Sequence, residues 1–149
     1  MSKTETNKAQ FRRTYEEMFN QGNLANVYEL IAPDCINHEV PSGMNNRGPE
    51  TMRQVVMMLR TAFPDLHFTI EELVAEGDTV VGRVTMSGTH QGTLMGIAPT
   101  GRSVRQAQAH FVRFRDGQGI EHRAVRDDLG MMQQLGVIPV PAHEYVPEA

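Results

Sequence analysis

The sequence predicts an α+β fold: three N-terminal helices packed on one strongly bent antiparallel sheet, forming a cone-shaped barrel with a mouth and a floor. Three observations predict it. Apolar residues recur at helical spacing as far as Pro64 and with period two after it, and the two kinds of element are segregated along the chain rather than alternating. The third observation is bulk composition. The 149 residues are 40% hydrophobic and 21% charged, which suits one globular domain spanning 1–149, with 1–7 and 138–149 as peripheral tails.

Each element has its own signal. Phe11, Tyr15, Met18 and Phe19 fall on one face of a first helix, which Gly22 breaks. Asn23 caps a second helix with Leu24, Val27, Leu30 and Ile31 on its inner face, and Pro33 ends it. Residues 34–40 read as a short extended piece holding His38, followed by a loop over 41–48. Pro49 suits the first position of a third helix, whose stripe is Met52, Val55, Val56, Leu59 and Phe63. Leu66, Phe68 and Ile70 then alternate with polar residues in a first long strand. Gly77-Asp78 turns the chain into a Val- and Thr-rich strand over 79–90. A loop over 91–102 leads to a strand over 103–115, hairpin chemistry at Asp116-Gly117-Gln118, and a last strand over 120–127. A short helix over 129–135 stops at Gly136, and the tail with Pro139, Pro141 and Pro147 is extended.

Composition excludes several classes of function. Net charge is −4 and no run of lysine or arginine occurs, so the electrostatic footprint for nucleic acid is missing. No stretch is apolar for long enough to span a bilayer, and the N-terminus has no apolar signal core. The one cysteine, Cys35, cannot form an internal disulfide, which fits a reducing, cytoplasmic setting. Ten methionines fit either ordinary core filling or an apolar pocket with adaptable walls. No His-x-His, His-Glu-x-x-His or phosphate-loop pattern is present, so neither a metal nor a nucleotide cofactor is expected.

Three stretches carry a family resemblance. They are Gly88-Thr89-His90-Gln91-Gly92 with Gly96-Ile97-Ala98-Pro99-Thr100-Gly101-Arg102; His110-Phe111-Val112-Arg113-Phe114 with Asp116-Gly117; and Ile120-Glu121-His122 with Asp127 and Gln133-Gln134-Leu135-Gly136. Over about 8–138 the chain resembles the SnoaL-like polyketide cyclases, within the wider nuclear-transport-factor-2-like fold. The resemblance implies ring closure by an intramolecular aldol reaction without a cofactor, and pairing of two copies through the exposed sheet face. In the family an aspartate on the last strand is the general acid/base and a histidine on the preceding strand assists. His110 matches that histidine. The aspartate follows a tryptophan in a Glu-His-Trp-Asp pattern, which here reads Glu121-His122-Arg123-Ala124, so the acid position holds Ala124.

The residues offer a replacement. A three-residue turn would pair Arg115 with Gly119 and, further back, Val112 with His122, His110 with Ala124 and Gln108 with Arg126. Gln108, His110, His122 and Arg126 would then share one face. A two-residue turn would shift the register by one and split them; the resemblance favours the three-residue turn, whose register is compatible with the family's histidine–aspartate pair. The expected catalytic group is His110, His122, Arg126 and Asp127: a histidine base that titrates near neutral pH, with arginine stabilising the enolate. Gln108 is expected to bind substrate, and the resemblance implies the same for Tyr15, His38 and Arg83, which match positions that face the cone interior in relatives. The ordinary alternatives stay open: hydrogen-bonded scaffolding for the histidines, ion pairing for the arginines, and helix capping for Asp127 or Asp128. The expected partner is an apolar or aromatic carbonyl compound bound by a homodimer. The alternative to an ester cyclase or isomerase is a non-catalytic, ligand-binding or oxygenation-assisting protein of the same fold.

Overall fold

A computed structural model describes residues 1–142. Its elements run α1 (Lys3–Arg13), a π-helical extension (Thr14–Asn20), a 3₁₀ turn (Leu24–Asn26), α2 (Val27–Leu30), β1 (Ile31–Asn37), α3 (Gly48–Ala62), β2 (His67–Glu76), β3 (Thr79–Thr89), β4 (Ser103–Arg115), β5 (Gln118–Arg126) and α4 (Asp128–Gln134). The helices segregate from a five-stranded sheet of order β1-β5-β4-β3-β2. This is the expected α+β architecture, with one difference: β1 joins the sheet edge parallel to β5, so the sheet is mixed.

The N-terminal segment departs from expectation. Residues 1–7 are not a tail, because Ser2 caps α1 by accepting the Glu5 amide and Asn7 is buried. Their polar composition conceals a Ser-x-x-Glu start signal. Phe11, Tyr15, Met18 and Phe19 are all buried, although the helix widens to π geometry at Thr14. Phe11 packs directly onto β3, where a Cβ on Gly82 would collide with its ring. The second helix stops at Leu30, and Ile31 already belongs to β1. Pro33 sits in that edge strand, where a missing amide proton costs no ladder bond.

The β4–β5 hairpin settles the register. Its turn is Asp116-Gly117, with φ of 52° and 77°, the two-residue mirror-image turn that favours glycine. Arg115 therefore pairs with Gln118, not with Gly119. A bulge then absorbs Ile120, and beyond it Val112 faces His122, His110 faces Ala124 and Gln108 faces Arg126. The expected pairs form through a different turn, because the bulge supplies the extra residue.

β4 alternates cleanly. Val104, Gln106, Gln108, His110 and Phe114 are buried on its inner face, while Arg105, Phe111 and Arg113 are exposed. The inner face is thus apolar at its ends and polar in the middle. The Gly-Thr-His…Pro-Thr-Gly-Arg stretch ties off the β3–β4 loop: His90 and Arg102 pair through backbone, and the Thr100 amide donates to His90 Nδ1. No helix among the described residues is long and apolar enough to cross a membrane. His143 and Pro147 lie outside the described residues.

Candidate active site

A cavity of about 370 Å³ lies between the helices and the inner face of the sheet. That volume suits a small organic ligand. The π-helical segment brings Tyr15 and Phe19 to one wall, and α3 presents Met52, Val55, Leu59 and Phe63 to another. Five of the ten methionines (Met52, Met86, Met95, Met131 and Met132) line it. Half the methionine content thus forms adaptable wall rather than plain core.

The polar floor comes from β4 and β5. Gln108, His110, His122 and Arg126 all reach the cavity, as does Tyr15, whose ring centroid is 5.1 Å from that of His110. His110 Nδ1 is 2.8 Å from His122 Nε2, and His110 Nε2 is 2.6 Å from Gln108 Oε1. His122 Nδ1 is 2.8 Å from Asn37 Oδ1. Arg126 Nη1 donates to Glu39 Oε1 at 3.2 Å on the cavity wall.

Burial governs the protonation of this group. It holds the His122 imidazole down at about 3, with the Arg126 and His38 charges acting the same way. It holds His110 well below the usual histidine value, reinforced by His122 and Arg126. Burial also pushes the Tyr15 hydroxyl up, against a smaller pull from Arg126, so it stays an O–H donor. At neutral pH the floor therefore holds two neutral imidazoles, one guanidinium and one phenol.

Three expected residues lie elsewhere. Arg83 is exposed on the outer sheet face, where it donates to Glu72 at 2.6 Å, because period two puts it opposite to Gly82 and Val84. His38 lies just past the end of β1 and turns to Glu121, 3.0 Å away, instead of to the cavity. Asp127 is the N-cap of α4, accepting the Gly130 amide at 2.9 Å. Of the two adjacent aspartates it is Asp128 that lines the cavity. Ala124 faces His110 on the partner strand, where no carboxylate is available.

Four polar lining residues escaped the sequence reading: Asn37, Glu39, Gln106 and Asp128. Gln106 was recoverable, since it stands four residues before His110 on the same strand face. Asn37 was lost to a parity slip, because β1 carries inward the residue before His38. Glu39 gave no periodic signal, lying beyond the strand. Asp128 stands beside Asp127 at the start of α4, and the sequence does not say which of the two caps the helix. Among the described residues, no group of three or more His, Cys, Asp or Glu side chains is arranged to hold a metal ion. Cys35 is buried, and desolvation pushes its thiol up to about 11, which leaves it unreactive.

Comparison with known proteins agrees with the fold. A family model described as SnoaL-like polyketide cyclase matches residues 9–135. The chain is 33% identical over 135 residues to the aklanonic acid methyl ester cyclase AcmA of Streptomyces galilaeus, covering 89% of this chain and 92% of that one. Among solved structures, a proposed SnoaL-like polyketide cyclase from Jannaschia sp. CCS1 superposes with a TM-score of 0.80 at 26% identity, covering 93% of this chain and 97% of that one. AclR of Streptomyces galilaeus, a proposed hydroxylase, superposes with a TM-score of 0.77 at 30% identity, covering 93% and 87%.

Proposed function

This chain belongs to the SnoaL-like polyketide cyclase family, and from that we propose that it catalyses proton transfer on a polyketide-like carbonyl compound, without a cofactor, leading to ring closure or isomerisation. The observation that carries the reading is the hydrogen-bonded His110–His122 pair on the floor of an otherwise apolar cavity.

The unprotonated pair removes a proton from a carbon next to a carbonyl. The C–H electron pair moves into the enolate, and the proton moves to an imidazole nitrogen. Tyr15 O–H and the Arg126 guanidinium donate to the enolate oxygen, in a cavity whose largely apolar walls lower the local dielectric and so strengthen both contacts. The enolate carbon attacks a second carbonyl of the same molecule, and the protonated pair returns its proton to the new alkoxide. Atoms balance: the product is an isomer of the substrate. A base held below the usual histidine range removes only acidic protons, so the reacting carbon is flanked by further carbonyl or aryl groups. The apolar walls fit a fused aromatic body. The free Cys35 fits work in a reducing cytoplasm.

The test uses aklanonic acid methyl ester and simpler aryl β-ketoesters in deuterium oxide. The protein should speed deuterium uptake at the acidic carbon, and His110→Ala and His122→Ala should each slow it about 10²- to 10⁴-fold. Unchanged exchange in both variants removes the histidine base. A second reading, a protein that holds the ligand or assists its oxygenation, draws on the missing acid at Ala124 and on the likeness to AclR. It predicts ligand-dependent thermal stabilisation with no exchange.

A further inference from the structure

We propose that His110 and His122 act as one base, taking up a single proton and sharing it between their facing nitrogens. This rests on the reading of the cavity as a proton-transfer site, but it follows from hydrogen-bond polarity alone.

The pair sits inside a chain whose two ends are fixed by backbone groups that cannot flip. At one end the Glu39 amide donates to Asn37 Oδ1 at 2.9 Å. Asn37 therefore presents an oxygen, and His122 Nδ1 must donate to it. At the other end Gln106 Nε2 donates to the Asp127 carbonyl at 3.1 Å and to Asp128 Oδ1 at 3.0 Å. This fixes Gln106 Oε1 as the acceptor of Gln108 Nε2 at 2.8 Å. Gln108 then turns its own Oε1 to His110 Nε2, which must donate as well.

The two imidazoles thus face an acceptor at each outer nitrogen and each other at the inner ones. Three contacts, of 2.8, 2.8 and 2.6 Å, need three protons. A neutral pair holds two. In every arrangement of those two, at least one contact brings two lone pairs together. A singly protonated pair satisfies all three, and a doubly protonated pair puts two protons between the facing nitrogens. The chain therefore sets the capacity at one proton, while burial sets how acidic the medium must be to load it. The charged and titratable neighbours are Arg126, itself paired with Glu39, together with Tyr15, His38 and Asp128. Asp128 and Gln106 are positioning residues: they act on His110 only through Gln108. This arrangement supplies, from two neutral rings, the acceptor that Ala124 cannot provide.

Imidazole nitrogen spectra of the full-length ¹⁵N-histidine-labelled protein, recorded through an acid titration, test the proposal. His110 and His122 should move together with one midpoint and one proton between them, and a strongly deshielded bridging proton should appear. Gln108→Leu removes the outer acceptor and lets a neutral pair satisfy its contacts, so its midpoint should drop by about one pH unit, a tenfold loss in proton affinity. Gln108→Glu, which restores an acceptor with charge, should raise it. Separate midpoints, uptake of two protons, or an unmoved midpoint in Gln108→Leu would overturn the proposal. If Gln108→Leu does not fold, the wild-type titration decides alone. The outcome is independent of turnover: a shared proton without substrate exchange would sink the catalytic reading and leave the shared proton standing.

Discussion

His110 Nδ1 lies 2.8 Å from His122 Nε2 with ring centroids 5.1 Å apart and planes 14° apart, so the imidazoles meet end to end in nearly one plane. That alignment depends on the bulge at Ile120. Without it the Asp116-Gly117 turn would carry His122 to the outer face, and the cavity floor would lose half its base. A hairpin irregularity at Ile120, next but one to His122, thus decides the chemistry of the site.

Stability should fall with acid in a defined window. Burial holds both imidazoles below the ordinary histidine value of 6.5, so below that pH the unfolded chain binds protons that the folded chain refuses. The stability is complete above 6.5 and drains away as the pH falls towards about 3, the His122 value. Each histidine still unprotonated in the fold should steepen the loss by about 1.4 kcal/mol per pH unit. Urea unfolding at stepped pH measures this, with His122→Gln as the control that flattens the slope. A wild-type curve that is level between pH 6.5 and pH 5 would refute the buried neutral pair.

The two arginines expected in the site should behave differently. Arg126 lines the cavity and shares a partly buried ion pair with Glu39, so Arg126→Ala should weaken binding of an aryl β-ketoester about 10- to 100-fold, the range of a charge-assisted hydrogen bond. Arg83 pairs with Glu72 on the outer face, with both side chains more than half exposed. Arg83→Ala should leave binding and melting temperature unchanged. Isothermal titration of both variants separates the assignments, and equal losses would mean that Arg83 reaches the ligand.

The fold was legible because its signals are local. The helical stripes, the period-two strands and the Gly and Pro punctuation mark elements within a few residues of where they occur. The parallel edge strand was not legible, since β1 is set by contacts with β5 some eighty residues away. In the site, β4 yielded Gln108 and His110 because alternation fixes which side faces inward. His38 failed because it stands just past a strand end, where alternation no longer applies, and its place is taken by Asn37. Arg83 failed because family position was weighed above the alternation of its own strand. Asp127 and Asp128 are adjacent, and only the cap geometry of α4 tells which one turns outward.

A second copy of the chain should pair across the outer sheet face. Phe111 and Val125 are exposed there at 42% and 67%, beside Arg105 and Arg113. An exposed apolar pair on an open sheet face favours a self-complementary contact. Light scattering at micromolar concentration should give twice the chain mass, and Val125→Glu should return it to one. A wild-type monomer would reject the pairing.

Ala124 is the position at which chemistry can be restored by one substitution. It stands directly across from His110 on β5, so in Ala124→Asp a carboxylate would enter the cavity beside the histidine pair. A nearby anion favours the protonated imidazole and raises its pKa from the depressed value towards neutrality. A stronger base at neutral pH removes a less acidic proton, so the variant should exchange deuterium into β-ketoesters faster than wild type and extend its reach to simpler aryl ketones. The acid limb of its pH–rate profile should move upward by about one to two units. The competing cost is a buried carboxylate, which Arg126 two residues along the strand is placed to offset. If Ala124→Asp folds and binds aryl β-ketoesters but its pH–rate profile coincides with that of wild type, the proton does not pass through His110. The cavity would then serve to hold its ligand rather than to transform it.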